Sequence, residues 1–430
     1  LKSKKAMNED FLHYVWKYKL FSKGDLKTTS NEVLTILKSG IHNKNSGPDF
    51  LNSELKIDDQ VWIGNVEIHT KSSDWYLHNH EIDTNYDAVI LHVVWEDDAT
   101  IYMKNNKALP TLILKNLVDK AVFTNYQQLF SKEQRWIPCQ SEIANVDRFV
   151  FDNWKERLFF DRLERKSNVI KKSLKVENDN YEAVLFQLLA KNFGLKVNGE
   201  SFLRLAKSVD FSIIRKCSFN EKQLSALLFG QAGFFEVEFE EEYHQELKEE
   251  YKYLKHKYNL KPIANSEFSF FRMRPNNFPT IRIAQLIALF VKHQNLFSKL
   301  MIVKNLEGFY KLFSVDVYPF WKTHYSFEKE SKSSAKKLTK SFVDLLIINT
   351  IIPLKFLYKK SREVVYEDEF LDLLRNIKSE KNSIISKFSE LKIISKNAFD
   401  TQALLELKNN YCAPKRCLEC AIGKTILKRK

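Results

Sequence analysis

Asp49 and, eighteen positions later, Glu67 with His69 are the first residues in this 430-residue chain whose types and spacing could carry metal chemistry. Two carboxylates brought to one place offer hard oxygen donors to Mg²⁺ or Mn²⁺, and a neighbouring histidine or lysine can orient or deprotonate water. Between Val61 and Lys71 a period of two puts Val61, Ile63, Asn65, Glu67, His69 and Lys71 on one strand face. Trp62, Val66 and Ile68 point the other way and are expected to bury. Asp49, Glu67, His69 and Lys71 form the expected catalytic set, with the divalent cation on Asp49 and Glu67.

Four of the ten histidines, His69, His78, His80 and His92, fall within 24 residues, beside Asp74 and Asp83. Such a group could be a second metal site or a set of phosphate contacts, and nitrogen donors suit zinc. The alternative makes His92 a hydrogen-bonded core residue and His78 and His80 surface residues. Trp75 and Trp95 read as packing rather than base-stacking residues.

Near the end of the chain, Cys412, Cys417 and Cys420 follow a Cys-x₄-Cys-x₂-Cys spacing, the ligand run of plant-type iron–sulfur proteins. No cysteine follows Cys420, so a fourth thiolate must come from upstream. Cys139 is the first choice, with Cys217 read as a buried thiol. Zinc fits equally well, and unligated thiols beside Lys415 and Arg416 are the alternative. Arg272, Arg274 and Arg282, set around Pro275 and Pro279, could present guanidinium groups to phosphates or could cap the helix that follows. With Lys415 and Arg416 they are the expected nucleic-acid contacts.

Positioning these residues requires a sheet. Glu9 to Leu20 has helical spacing, and Ser30 to Leu37 reads as a second short helix capped by Ser30 or Asn31. Phe50 to Ile57 and Val61 to Thr70 alternate as strands about a turn at Asp58, Asp59 and Gln60, which returns Glu67 to the neighbourhood of Asp49. Tyr86 to Trp95 reads as a strand buried on both faces. Ala99 to Met103 and Leu109 to Leu114 read as a last hairpin. Beyond Asn116 the pattern is helical, notably over Arg148 to Ser173, Asn180 to Phe193, Ser201 to Val209, Glu240 to Tyr258 and Ile281 to Val291, with a loose loop at Glu328 to Lys337. The expected fold is α+β, an α/β domain over residues 1–135 followed by a large, mostly helical domain over 136–430.

At Gly47, Pro48 and Asp49, followed by Glu67, Ile68 and His69, the chain resembles the PD-(D/E)XK nuclease superfamily over roughly residues 9–115. The resemblance implies a restriction-endonuclease-like core in which Asp49 and Glu67 bind the metal. It also implies a lysine at the third position that assists the attacking water. His69 stands there instead, able to act as base near neutral pH, and Lys71 shares its face. The whole chain is also similar to an uncharacterised bacterial domain-of-unknown-function family, through residues 45–50, 64–69 and 91–94.

The net charge of +14 is unevenly spread. Residues 1–110 hold 13 Lys, no Arg and 16 Asp plus Glu, a net of −3, which leaves +17 for the rest. An acidic metal-binding unit beside a basic body suits a polyanionic partner, DNA or RNA. The apolar runs at Ile281 to Val291 and Phe342 to Leu354 are too short or too interrupted for a membrane span, and the amino terminus lacks a secretory pattern, so a cytoplasmic protein without a membrane partner is expected. The expected function is a Mg²⁺- or Mn²⁺-dependent nuclease, with an iron–sulfur cluster or zinc at the cysteines. One alternative is an inactive nuclease fold that binds nucleic acid within a larger assembly, and a second is a zinc-dependent hydrolase built on the His69 to His92 cluster.

Overall fold

The computed structural model describes residues 8–22, 24–131, 135–363 and 367–429. Leu1 to Met7, the segment read above for a secretory pattern, and residues 132–134 at the expected domain boundary lie outside them.

Helix α1 (Glu9–Tyr18) starts where the Asn8 side chain accepts the Asp10 amide, carries Glu9 and Asp10 in its first turn, and stops at a left-handed Lys19. Side-chain capping and acidic residues at the positive end of the helix dipole fix this start. Its buried face comprises Phe11, Leu12, Tyr14, Val15 and Trp16. The helix expected over Ser30 to Leu37 does not form. The Thr28 hydroxyl instead accepts the Ser30 and Glu32 amides, making a turn, and Leu34–Lys38 is strand β1, with Leu34 opposite Ile57. Val33, Thr35 and Ile36 are β-branched and favour the extended state.

Five more strands follow: β2 (Ile41–His42), β3 (Phe50–Ile57), β4 (Gln60–Lys71), β5 (Val89–Glu96) and β6 (Thr111–Ile113). The sheet order is β1-β3-β4-β5-β6, with β2 also paired to β3. β1, β3 and β4 run antiparallel, whereas β5 lies parallel to β4 and β6 parallel to β5. The hairpin turn falls at Asp58, whose φ is 48° and whose carboxylate accepts the Val33 amide. A parallel neighbour requires a crossover, and residues 72–88, with the short helix α2 (Asp74–Leu77), supply it. The hairpin expected at Ala99 to Leu114 reduces to a single bridge between Tyr102 and Ala108. Pro110 has no amide for a ladder, and the open edge of β5 takes Thr111–Ile113 instead.

Val66, Ile68, Leu91 and Val93 join Phe11, Val15, Trp16 and Phe50 in the core between the sheet and α1. Trp62 does not bury as expected, being 46% exposed. Pairing between β4 and β5 begins only at Asn65, so the first residues of β4 run past their neighbour. Gly64 lets β5 enter there: a Cβ on it would lie 2.5 Å from Ile90 Cγ2 and 2.6 Å from the Ala88 carbonyl oxygen.

The chain divides into two compact units. The first holds residues 1–155, 390–393 and 406–430, and the second holds 156–389 and 394–405. The end of the chain thus belongs with the sheet, and the division falls inside a long helix, Arg148–Val176, rather than at 135/136. Within the first unit the Asn125 amide, on the helix Lys120–Leu129, donates to the Ile426 and Arg429 carbonyls. The second unit is helical around one large apolar core. Helices at Tyr181–Phe193, Glu242–Tyr258 and Pro279–Lys292 match their expected spans, while Leu195–Lys207 begins earlier than its expected Ser201 start. Lys340–Lys360 is long and apolar enough to cross a membrane, yet 67% of its apolar window is buried within the protein.

Candidate metal centre

Alternation along β4 sends Val66 and Ile68 into the core and turns Glu67 and His69 to the opposite side, where both are buried. Asp49, entering β3, is locked to them across the hairpin. Its amide donates to Glu67 Oε2 at 3.1 Å, and its Oδ2 accepts the Ile68 amide at 3.0 Å. The crossover brings the remaining groups. Asp74 accepts the Lys71 amide and the Thr70 hydroxyl, Asp98 accepts Ser72 and Ser73, and Asn79 takes a left-handed φ of 60° between His78 and His80. Asparagine tolerates that conformation better than most residues, and it turns both flanking histidines toward His69.

Donor atoms of His69, His78 and His80 all lie within 4.8 Å of one another. His69 Nε2 is 3.1 Å from His78 Nδ1 and 3.5 Å from Glu67 Oε1, and His80 Nε2 is 3.4 Å from the same oxygen. A tetrahedral ion with bonds of about 2.0–2.1 Å has ligand–ligand edges of roughly 3.3–3.4 Å. The His69–His78, His69–Glu67 and His80–Glu67 separations are near that edge, so the three imidazoles can share one ion with Glu67 beside it. Its nitrogen content favours a transition metal over Mg²⁺.

His92 lies behind this group, fully buried, with Nε2 2.8 Å from His69 Nδ1. For His69 to ligate through Nε2 its proton must sit on Nδ1 and be donated to His92, so His92 fixes the tautomer without touching the ion. Tyr86 stacks on His80 at 3.7 Å, and Trp75 packs edgewise against it at 5.4 Å. His92→Phe is expected to weaken metal binding by roughly 10–100-fold, the usual loss for an outer partner. Competition with a chromophoric chelator reads this directly; unchanged affinity would show that His92 only fills space.

Electrostatics point the same way. Burial, then the charge of Asp49, pushes Glu67 up to about 9. Burial, then the neighbouring His92, His80 and His78, drives His69 down to about 2, and burial takes His92 to about 3. Burial also lowers His80. His13, by contrast, is raised: burial disfavours its charge, but Asp49, with Oδ2 3.0 Å from His13 Nε2, outweighs that. Lone pairs held neutral around a carboxylate are what a cation would relieve. The cluster opens on a cavity of about 400 Å³ lined also by Glu9, Asp49, Asp83 and Tyr86.

Asp49, Glu67, His69, His78 and His80 are thus brought together. Lys71 is not; it is half exposed, 3.7 Å from Asp98, and does not line the cavity. Trp75 and Trp95 are buried packing residues. Arg272 and Arg274 are exposed, but Arg282 is withdrawn from any phosphate role, being buried, bonded to Gln285 and Asn277 and stacked on Phe342 at 3.9 Å. Arg416 is engaged by Glu419 and the Asn410 carbonyl, while Lys415 is exposed. Cys139, Cys412, Cys417 and Cys420 are buried in the first unit and Cys217 in the second. Sequence reasoning missed Glu9, His13 and Tyr86. Glu9 and His13 carry a signal, one helical turn apart on α1.

A search of the curated proteins and of the solved structures returns no match to the chain. A family model described as protein of unknown function (DUF2851) matches residues 9–383, and the chain belongs to that family.

Proposed function

We propose that this protein is a metal-dependent nuclease whose divalent ion is held by His69, His78 and His80, with Glu67 beside them. The convergence of the three histidines at the mouth of a cavity, with Glu67 in reach of two of them, is the observation that carries the reading. A bound ion would supply Lewis acidity toward the scissile phosphate and make water easier to deprotonate. Beside a bound ion Glu67 would be ionised, able to hold the ion or to accept the proton of a water on it. Asp49, paired to His13 and bonded across the hairpin, holds Glu67 in place. The sequence resemblance to PD-(D/E)XK nucleases at Asp49 and Glu67, which lie on paired strands, also supports the reading. The +17 charge outside residues 1–110 favours a polyanionic substrate.

The test is cleavage of single- and double-stranded DNA and RNA by purified protein with Zn²⁺, Mn²⁺ or Mg²⁺. Cleavage is expected with Mn²⁺ or Zn²⁺ and is abolished by Glu67→Ala in a folded variant. No cleavage under any of these conditions, or equal cleavage by the variant, overturns the nuclease reading. A second reading, a zinc-dependent hydrolase of a substrate other than a phosphodiester, is favoured by the cavity wall, which among the described residues contains no Lys or Arg. Hydrolysis of p-nitrophenyl acetate but not of bis(p-nitrophenyl) phosphate would select it.

A further inference from the structure

Cys139 sits in a turn whose carbonyl accepts the Glu142 and Ile143 amides, while Cys412, Cys417 and Cys420 lie near the end of the chain. Both segments belong to the first unit. They meet where Lys408 Nζ donates to the Trp136 carbonyl at 2.9 Å and lies over the Trp136 ring. The four thiols neighbour one another there, although no three of their sulfurs come within 4.8 Å of one another. Cys139 lies in the electrostatic field of Cys420 and Cys417, and Cys412 in the field of all three others. All four are between 6% and 8% exposed, and none forms a disulfide.

One buried cysteine is an ordinary small apolar residue. Four from two distant segments, buried within one another's electrostatic reach and unbridged, are not explained by packing. The local backbone is shaped around them: the Cys420 amide donates to the Cys417 carbonyl at 3.3 Å, and the chain then folds back so closely that a Cβ on Gly423 would meet the Cys417 carbonyl oxygen at 2.2 Å. Burial raises the Cys420 thiol, while the Gly423 and Ile422 amides donate to its sulfur and favour its thiolate. Amide donors on sulfur are the outer partners that a thiolate ligand uses.

We propose that Cys139, Cys412, Cys417 and Cys420 together hold one thiolate-bound metal centre, an iron–sulfur cluster or a zinc ion, that ties the end of the chain to the Trp136–Val146 segment. Metal binding removes the four thiol protons, and the charge of the ion or cluster replaces them. Three of the four cysteines lie beyond residue 383, where the family match ends, and the centre is separate from the histidine cluster.

The experiment purifies the full chain without oxygen and measures iron, acid-labile sulfide and zinc. It does so for wild type, for each single Cys→Ser change at the four positions, for Cys217→Ser and for His80→Ala. Iron with sulfide and visible absorption identifies a cluster; zinc without sulfide identifies a single ion. Either supports the proposal if each of the four variants falls to about a tenth of the wild-type content of that centre while Cys217→Ser and His80→Ala keep it. Absence of both metals at the cysteines, or retention in Cys139→Ser, overturns it. Should the variants misfold, a thiol reagent applied to wild type decides. Four thiols must become reactive as the metal is released, and thiols already reactive before release sink the idea. Metal lost only on His80→Ala would speak for the histidine site alone, so the two failures are distinguishable.

Discussion

His80→Ala is expected to lose tight transition-metal binding, with affinity falling by about a hundred- to a thousand-fold. The apparent binding free energy of a tetrahedral zinc site, about 10–16 kcal/mol, spread over four ligands gives roughly 2.5–4 kcal/mol each. His80 comes from the crossover, not from the sheet, and its ring packs on Tyr86, Trp75 and His69 with Nε2 3.4 Å from Glu67 Oε1. Its loss should therefore leave the fold intact. Two measurements separate a ligand from a packing residue. Chelator competition gives the affinity directly. Thermal unfolding gives it by linkage: an ion at a thousand times its dissociation constant stabilises the native state by about 4 kcal/mol, and the variant should lose most of that gain. Equal metal-induced stabilisation of wild type and variant would remove His80 from the ligand set.

The sequence exposes half of this centre because half of it is local. Period-two alternation places Glu67 and His69 on one face, and a hairpin about Asp58 has to return Glu67 toward Asp49, so their meeting follows from strand geometry. The nitrogen-rich character is harder to read. His78 and His80 look like loop residues until Asp74 and Asp98 pin the crossover and Asn79 adopts a positive φ; none of that is a periodic signal. His13 reaches Asp49 only because α1 packs on the sheet, a long-range fact. Ser30 to Leu37 carried capping residues that bond within a turn, so a local helix signal lost to strand pairing with β3. Arg282 sits near two prolines like a surface loop residue, but the helix that begins at Pro279 is buried almost all round and takes the guanidinium with it.

Glu67→Gln is expected to abolish hydrolysis and yet to stabilise the metal-free protein at alkaline pH. The sign follows from the raised pKa. Below the ordinary carboxyl value of 4.5 the group is protonated whether the chain is folded or not, and it contributes nothing. Between 4.5 and about 9 the unfolded chain ionises it while the fold holds it protonated, so stability is lost as pH rises through that window. Glutamine keeps the oxygen that accepts the Asp49 amide and has no proton to lose. Metal-free Glu67→Gln should therefore match wild type near pH 5 and exceed it at pH 8 by on the order of 2 kcal/mol. His69 and His92, held down to about 2 and 3, act in the opposite direction. Their neutral forms are favoured by the fold, so stability falls as pH drops below 6.5, equally in both proteins. With metal bound the order reverses, because the ion stabilises an ionised Glu67 and gains nothing comparable from an amide. Thermal unfolding at pH 5 and pH 8, with and without Zn²⁺, checks all four corners. A variant less stable than wild type in the metal-free protein at pH 8 would mean that Glu67 is ionised there without help. The site would then be a carboxylate network complete in itself rather than one built to receive a cation.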